Sequence, residues 1–414
     1  MFAPQQHHRK QRETCKREWR ERQNRRHYKL SLNMKTALIF ILSACAGKNL
    51  IVDAQALPSN SLLVPPPATC TDVVIPVTAS AENVVFPVTT PISYIKVGGT
   101  YNISARYCKP ANNLHSRRNT LQFLVHGITF TKSYWSGLGD PSITQGAGAP
   151  YGGQNYSWIS YASNEGYPTL AIDRLGNGLS DHPDPLTVLG TPLQTEIVHQ
   201  LIVKARAGTL PSANGKAFNS VIYVGHSYGS FIGNYLNVQY PNDANATILT
   251  GVTSSENFPF VDAYLPDLVP AATANPVKWG NLPSGYLTLR NVSDYGKGFW
   301  YPPFFDSALE QLDFATRGPG AYSEFGSVVL PLEVAGKYTG PVFDITGQHD
   351  AIFCPLPDPA SSTKPYTTYD CGPSQGGILS QTGKLYPNAS YKYYAPKNSG
   401  HLWQLHYDAF ATFG

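Results

Sequence analysis

The sequence predicts an α/β protein: a mostly parallel central sheet covered by helices, with a subdomain inserted near the carboxyl ends of the strands. Three observations carry that expectation. Short β-branched and aromatic runs recur at Leu121–Val125, Thr169–Ile172, Val221–Val224, Thr247–Val252, Val342–Ile345 and Tyr391–Tyr394, each the length of a buried strand. Between two of them Leu193, Ile197, Leu201 and Ala205 recur every fourth residue, the stripe of an amphipathic helix. Residues 257–340, rich in Pro and aromatic side chains, then interrupt the alternation at a place where α/β proteins build ligand sites.

Taken in order, the chain opens on a basic arm. Residues 1–33 hold 10 Lys/Arg against 3 Asp/Glu, whereas the whole 414-residue chain has a net charge of only +4. From Met34 the segment MKTALIFILSACAGKNLIVDAQA follows, with Lys35 before an apolar run of 11 residues and small-x-small sites ending at Ala46 and Ala56. That is the layout of a secretory signal peptide, too short for a membrane span. A start at Met34 makes residues 1–33 a gene-model extension and residues 34–56 the leader. Cleavage after Ala56 leaves 19 Lys/Arg and 23 Asp/Glu, a weakly acidic chain in which the basic footprint of a nucleic-acid binder is gone.

Four cysteines remain, Cys70, Cys108, Cys354 and Cys371. Three pairings are open, and proximity in sequence favours Cys70–Cys108 with Cys354–Cys371. No CxxC pair suggests a zinc site. N-glycosylation sequons at Asn102, Asn155, Asn245, Asn291 and Asn388 fit the same oxidising, secreted setting. Apolar residues at 42% exclude a mostly disordered protein, while only 14% charged residues leave a polar surface that is sparsely charged.

A Pro-rich lead-in at 57–67 precedes strand-like runs at Asp72–Pro76, Val84–Val88, Ser93–Val97 and Tyr101–Tyr107, punctuated by Pro and Gly. Residues 57–414 are expected to form one domain, with a Gly-rich excursion at 128–155 and residues 257–340 as a cap over the sheet's carboxyl end. The bland alternative for 257–340 is a peripheral subdomain with its own small core.

The strongest chemical signal is Gly225-His226-Ser227-Tyr228-Gly229, a G-x-S-x-G after a β-branched strand and before a helix-compatible segment. A serine on a sharp strand-to-helix turn needs small residues on both sides and presents its hydroxyl above the sheet. Ser227 is therefore the candidate nucleophile. Phe123-Leu124-Val125-His126-Gly127-Ile128-Thr129 reads as an oxyanion loop, with the backbone N–H groups of Ile128 and Tyr228 as donors and Thr129 as fallback. His126 is read as ordering this loop. Asp350, on the loop after the 342–345 strand, is the candidate acid, with Glu256 second. His401 in Asn398-Ser399-Gly400-His401 is the candidate base, preferred over His349 and His406, which are read as surface or cap-facing.

With these residues in hand, the chain resembles the α/β-hydrolase family over residues 72–414, most of all its lid-bearing branch and secreted fungal members. The resemblance rests on His126-Gly127, the turn Asp173-Arg174-Leu175-Gly176-Asn177-Gly178-Leu179-Ser180, the Gly225–Gly229 elbow, Asp350 and Gly400-His401. It implies a Ser227–His401–Asp350 triad acting through an acyl-enzyme, with the 173–180 turn structural. A serine at the elbow separates the chain from relatives that use an Asp nucleophile, leaving acyl transfer to water.

The expected function is a secreted esterase or lactonase on a small to medium hydrophobic substrate. No cofactor, metal, nucleic-acid partner or stable membrane anchor is implied. An aminopeptidase of the same fold would need cap carboxylates, for which Asp262, Asp267, Asp294, Asp306 and Glu310 are available. A natural-product-processing hydrolase uses the same groups. The alternative of another class is a non-catalytic binding protein on this scaffold.

Overall fold

The computed structural model describes residues 68–413 except 90, 112–113, 115, 144, 257–260, 262–263, 329, 356–368 and 373–376. The basic arm and leader-like segment lie outside the described residues. Eleven described strands are β1 (Thr69–Val84), β2 (Tyr94–Lys109), β3 (Thr120–Val125), β4 (Thr169–Ile172), β5 (Ser220–His226), β6 (Ala246–Thr250), β7 (Leu268–Pro270), β8 (Tyr286–Leu289), β9 (Gly320–Ala321), β10 (Val342–Ile345) and β11 (Tyr391–Tyr394). Eight of them form one sheet in the order β1-β2-β4-β3-β5-β6-β10-β11. From β4 to β11 every pairing is parallel; β1 and β2 run antiparallel at one edge.

Each core strand expected from sequence is present, within two residues at either end. The reason is burial on both faces. On β3, Leu121, Phe123 and Val125 join one core cluster and Leu124 the other, and the one buried polar side chain among them, Gln122, accepts the Trp158 indole N–H at 2.7 Å. Helices α1 (Trp158–Asn164), α2 (Thr191–Ala207) and α3 (Tyr228–Gln239) cover the sheet. The α2 stripe Leu193, Ile197, Leu201 and Ala205 is fully buried against β1 and α3. Trp158, Ile159 and Ala162 of α1 belong to the opposite core cluster.

The N-terminal strands depart from expectation. Instead of four short strands, two 16-residue strands form a long hairpin. Gly98 and Gly99 sit inside β2, opposite Ser80 and Ala79. A Cβ at Gly98 would lie 2.7 Å from the Ser80 Cβ, so the glycine marks a close approach and not a break. Pro76 is accommodated because β1 is an edge strand. The register sets Cys70 opposite Cys108, and the disulfides are Cys70–Cys108 and Cys354–Cys371.

The stretch between β6 and β10 holds a three-stranded antiparallel sheet, β7-β8-β9, and helices α4 (Val292–Phe299), α5 (Ser307–Thr316) and α6 (Tyr322–Ser327). Tyr295, Phe299 and Trp300 are buried in the same cluster as Leu124 and Val224 of the sheet. The insert therefore shares the main core. The excursion after β3 is anchored likewise: Lys132 Nζ lies 2.8 Å from Asp173 Oδ2, and its backbone N–H donates to Asp173 Oδ1 at 2.7 Å.

Candidate active site

Ser227 joins β5 to α3 with φ 53° and ψ −119°, a backbone conformation that non-glycine residues adopt only where the surroundings enforce it. Its N–H donates to Thr250 O on β6 at 2.8 Å. The flanking glycines are required sterically: a Cβ at Gly225 would lie 2.4 Å from Gly229 O, and one at Gly229 would lie 2.1 Å from Val125 O. The elbow thus wedges α3 directly against the end of β3. The helix-compatible segment after the elbow is α3, which starts at Tyr228, immediately after the serine.

Asp350 and His401 come together above the sheet. Asp350 is fully buried; its Oδ1 accepts the N–H groups of Ile352 and Phe353 at 2.8 and 3.1 Å. Its Oδ2 lies 2.7 Å from His401 Nδ1. A carboxylate at that distance holds the proton on Nδ1 and leaves a lone pair on Nε2. His401 Nε2 is buried and has no hydrogen-bond partner among the described residues. The ring lies between Phe299 of the insert and Phe353, both with centroids at 5.7 Å. The loops that carry His401 and Asp350 are joined by backbone bonds from Gln348 N to Pro396 O and from His349 N to Ser399 O.

The alternatives lie elsewhere. Glu256 lines the cavity beside Ser227 and does not engage His401. Asp344 accepts the hydroxyls of Tyr391 and Thr346 at 3.0 and 3.1 Å, and burial pushes its carboxyl up to about 8. His349 is bonded to Tyr369 O and stacks on Tyr301 of the insert. His406 faces the insert and is buried there: it packs on Trp300 and Phe305, and its Nε2 accepts the N–H groups of Gly400 and Tyr301, each at 3.1 Å. Burial pushes it down to about 4, so a neutral imidazole steadies the loop that carries His401.

His126 has a similar task. Its Nε2 accepts the Arg174 N–H at 3.0 Å, which places its proton on Nδ1 for donation to Gly127 O at 2.8 Å. Burial, with the Arg174 cation next, holds this imidazole well below its ordinary range. Gly127 O also accepts from Arg174 Nη2 at 3.0 Å. In a trans peptide C=O and N–H point in opposite directions, so anchoring this carbonyl to Arg174 turns the Ile128 N–H away from it. A Cβ at Gly127 would lie 2.7 Å from Ser227 Cβ, which puts the loop in contact with the serine. Tyr228, as first residue of α3, has an N–H without an intrahelical acceptor. Ile128 and Thr129 both line the cavity, and Thr129 has φ 67°.

Arg174 is the residue that sequence reasoning passed over as part of a structural turn. Almost fully buried, it donates from Nε to His126 O at 2.8 Å and from Nη1 to Gln194 Oε1 at 2.8 Å. Its guanidinium lies 4.8 Å over the Tyr228 ring. Its counter-charge is Glu324 of α6, a fully buried carboxylate in contact with Nη1. The partners are 150 residues apart, and nothing local in the sequence signals the pairing.

The cavity beside Ser227 measures about 80 Å³ and is almost entirely apolar. The insert contributes Leu268, Leu289, Phe299, Phe325 and Val328 to its wall; Phe231, Ile352 and Phe353 complete the other side. Among the described residues no three His, Cys, Asp or Glu side chains are grouped so that they could hold a metal ion.

Comparison with solved structures returns similar chains. A thermophilic esterase from Thermogutta terrifontis shares 11% identity at a TM-score of 0.46, covering 80% of this chain and 95% of that one. A hydrolase from Pseudomonas aeruginosa shares 15% identity at a TM-score of 0.44, covering 80% and 98%. Comparison with curated protein sequences finds no match. The sequence model of the Alpha/beta hydrolase family matches residues 123–413, from within β3 to the C-terminal helix and over more than half of the chain. By that match the chain belongs to the alpha/beta hydrolase family.

Proposed function

We propose that the protein is a secreted serine hydrolase that cleaves a carboxylic ester or lactone of a small to medium hydrophobic substrate. The observation that carries this reading is His401: Nδ1 tied to buried Asp350 and Nε2 without a partner among the described residues, in a chain whose Ser227 opens onto an apolar cavity. In the reaction, Ser227 Oγ attacks the carbonyl carbon as its proton passes to His401 Nε2. The N–H groups of Ile128 and Tyr228 hold the resulting oxyanion. Collapse breaks the ester C–O bond, and the His401 proton leaves with the alcohol. Water then attacks the acyl-serine, His401 takes its proton and returns it to Ser227 Oγ, and the acid is released. Asp350 fixes the ring and stabilises the imidazolium without taking the proton.

The small apolar cavity favours a short acyl group or a compact ring. Of the carboxylates considered for an aminopeptidase, Asp262 lies outside the described residues. Asp294 pairs with Lys297 and Asp306 accepts Tyr151 OH; these two, Asp267 and Glu310 are absent from the described cavity wall. Secretion agrees with the two disulfides and with the exposure of all five sequon asparagines. No described helix is long and apolar enough to cross a membrane.

Labelling with a fluorophosphonate probe tests the reading, comparing wild type with Ser227→Ala. The expected result is labelling of wild type alone, with turnover of short p-nitrophenyl esters exceeding that of aminoacyl-anilides. Absence of Ser227-dependent labelling overturns the enzyme reading in favour of a binding protein. Preference for the anilides overturns the ester assignment.

A further inference from the structure

The cavity wall carries one feature that ester hydrolysis alone does not use. Fifteen described residues line it, and among them Glu256 is the single carboxylate, with no Lys, Arg or His beside it. Glu256 is half-buried and has no ion-pair partner among the described residues. Burial pushes its carboxyl up to about 7. The loop that carries it is held: Ser254 N–H donates to Thr382 Oγ1 at 2.8 Å, and Thr253 Oγ1 donates to Phe353 O at 3.1 Å. A carboxyl set against Leu, Ile, Val and Phe side chains is unfavourable unless a donor meets it. Its own backbone N–H is the donor that meets it among the described residues, and a carboxylate has further acceptor sites, which are left for a group the substrate brings.

We infer that Glu256 is a specificity residue, accepting a hydrogen bond from an ammonium or hydroxyl group on the acyl part of the substrate while the remaining chain packs on the apolar wall. This rests on the ester-hydrolase reading above and narrows its substrate class from hydrophobic esters to amino- or hydroxy-substituted ones. Both substituents offer a donor to the same oxygen atoms, and they differ in charge.

The test uses ethyl esters of 3-aminopropanoate, 3-hydroxypropanoate and butanoate, which match in length, together with 6-aminohexanoate, 6-hydroxyhexanoate and heptanoate. Wild type is expected to favour an amino or hydroxy ester over its alkyl match by about tenfold or more in kcat/KM, as a hydrogen bond to a charged group provides. Glu256→Leu inverts that ratio. Glu256→Gln, which still accepts a hydrogen bond but has lost the charge, keeps a hydroxyl preference and loses an ammonium one. Wild-type preference for the alkyl ester at both lengths, or the same ratio in Glu256→Leu, overturns the inference.

The same esters are also titrated against Ser227→Ala by thermal shift, which reads binding without turnover. Stronger stabilisation by the amino or hydroxy ester, removed by adding Glu256→Leu, supports the subsite even if fluorophosphonate labelling fails. Equal stabilisation by the alkyl ester rejects the subsite while leaving Ser227-dependent labelling, and with it the proposed reaction, intact.

Discussion

The Arg174–Glu324 pair yields the sharpest prediction, because one buried cation contacts both the insert and the loop proposed to bind the oxyanion. Glu324→Gln keeps the shape of the side chain and an acceptor for Arg174, and removes the charge together with the acceptor that meets the Ala321 N–H. Both partners are buried, at 1% and 0% side-chain exposure, so the guanidinium is left without its counter-ion in a low-dielectric site. Breaking such a pair from one side costs about 3–5 kcal/mol. A domain with roughly 5–15 kcal/mol of net stability survives that loss, with a lower denaturation midpoint. The catalytic consequence runs through Gly127 O, which accepts Arg174 Nη2. If the guanidinium shifts toward water, that carbonyl keeps only the His126 side-chain donor, and the Ile128 N–H is held less firmly.

Complete loss of one oxyanion donor costs about 2.7–4 kcal/mol, or 10²–10³ in kcat, and partial reorientation costs less. We therefore expect Glu324→Gln to lower the guanidinium midpoint and to reduce kcat by about tenfold or more, with KM for a short p-nitrophenyl ester little changed. The double variant Arg174→Met/Glu324→Leu removes both charges. Its stability should recover much of the loss, since apolar replacement of a buried pair is often neutral, whereas kcat stays low because Gly127 O has still lost the Arg174 donor and keeps only that of His126. The reasoning is refuted if kcat recovers with stability in the double variant. It is also refuted if Glu324→Gln lowers the midpoint while kcat per fluorophosphonate-reactive site matches wild type, for Arg174 then holds the insert alone.

Three other predictions follow from local geometry. Gly229→Ala places a Cβ 2.1 Å from Val125 O; α3 must move off β3, so a midpoint loss of about 1–3 kcal/mol or more should accompany loss of Ser227 labelling, and wild-type labelling would contradict the elbow's packing role. Replacing Cys354 and Cys371 by Ser opens a crosslink of sequence separation 17, worth about 3 kcal/mol on loop entropy; denaturation of the variant against oxidised wild type checks this, and an unchanged midpoint would show that the loop needs no covalent tie. Asp344, raised to about 8 when folded against about 3.9 when unfolded, binds its proton more tightly in the native state. Its contribution is therefore complete below about pH 4 and is lost as pH rises toward 8, at about 1.4 kcal/mol per pH unit. Asp344→Asn should flatten the fall of stability across that window, and an identical pH profile would contradict the assignment.

What the sequence discloses about this site divides by the range of the physical constraint. The central parallel strands are legible because burial on both faces makes them mostly apolar runs, and the elbow because a Cβ at Gly225 or Gly229 would strike backbone within a few residues or on the adjacent strand. Both are steric demands written where they act. The long N-terminal hairpin was less legible because Gly98 mimics a turn when its actual constraint is the Ser80 side chain across the strand pair. The choice between Asp350 and Glu256 was open for the same reason: both follow strand ends, and only the convergence of two distant loops brings one within 2.7 Å of His401 and leaves the other on the cavity wall. Arg174 and Glu324 are the extreme case, since an Arg in a tight turn and a Glu in a short helix 150 residues later are each ordinary alone. Groups proposed to react carry motifs because their chemistry demands a particular local backbone. The long-range pairing that holds them, Arg174 with Glu324, carries none, because any element able to deliver a charge to the right point would serve. The insert can therefore vary in sequence and still be required by the proposed oxyanion loop, provided that some part of it returns a carboxylate to Arg174.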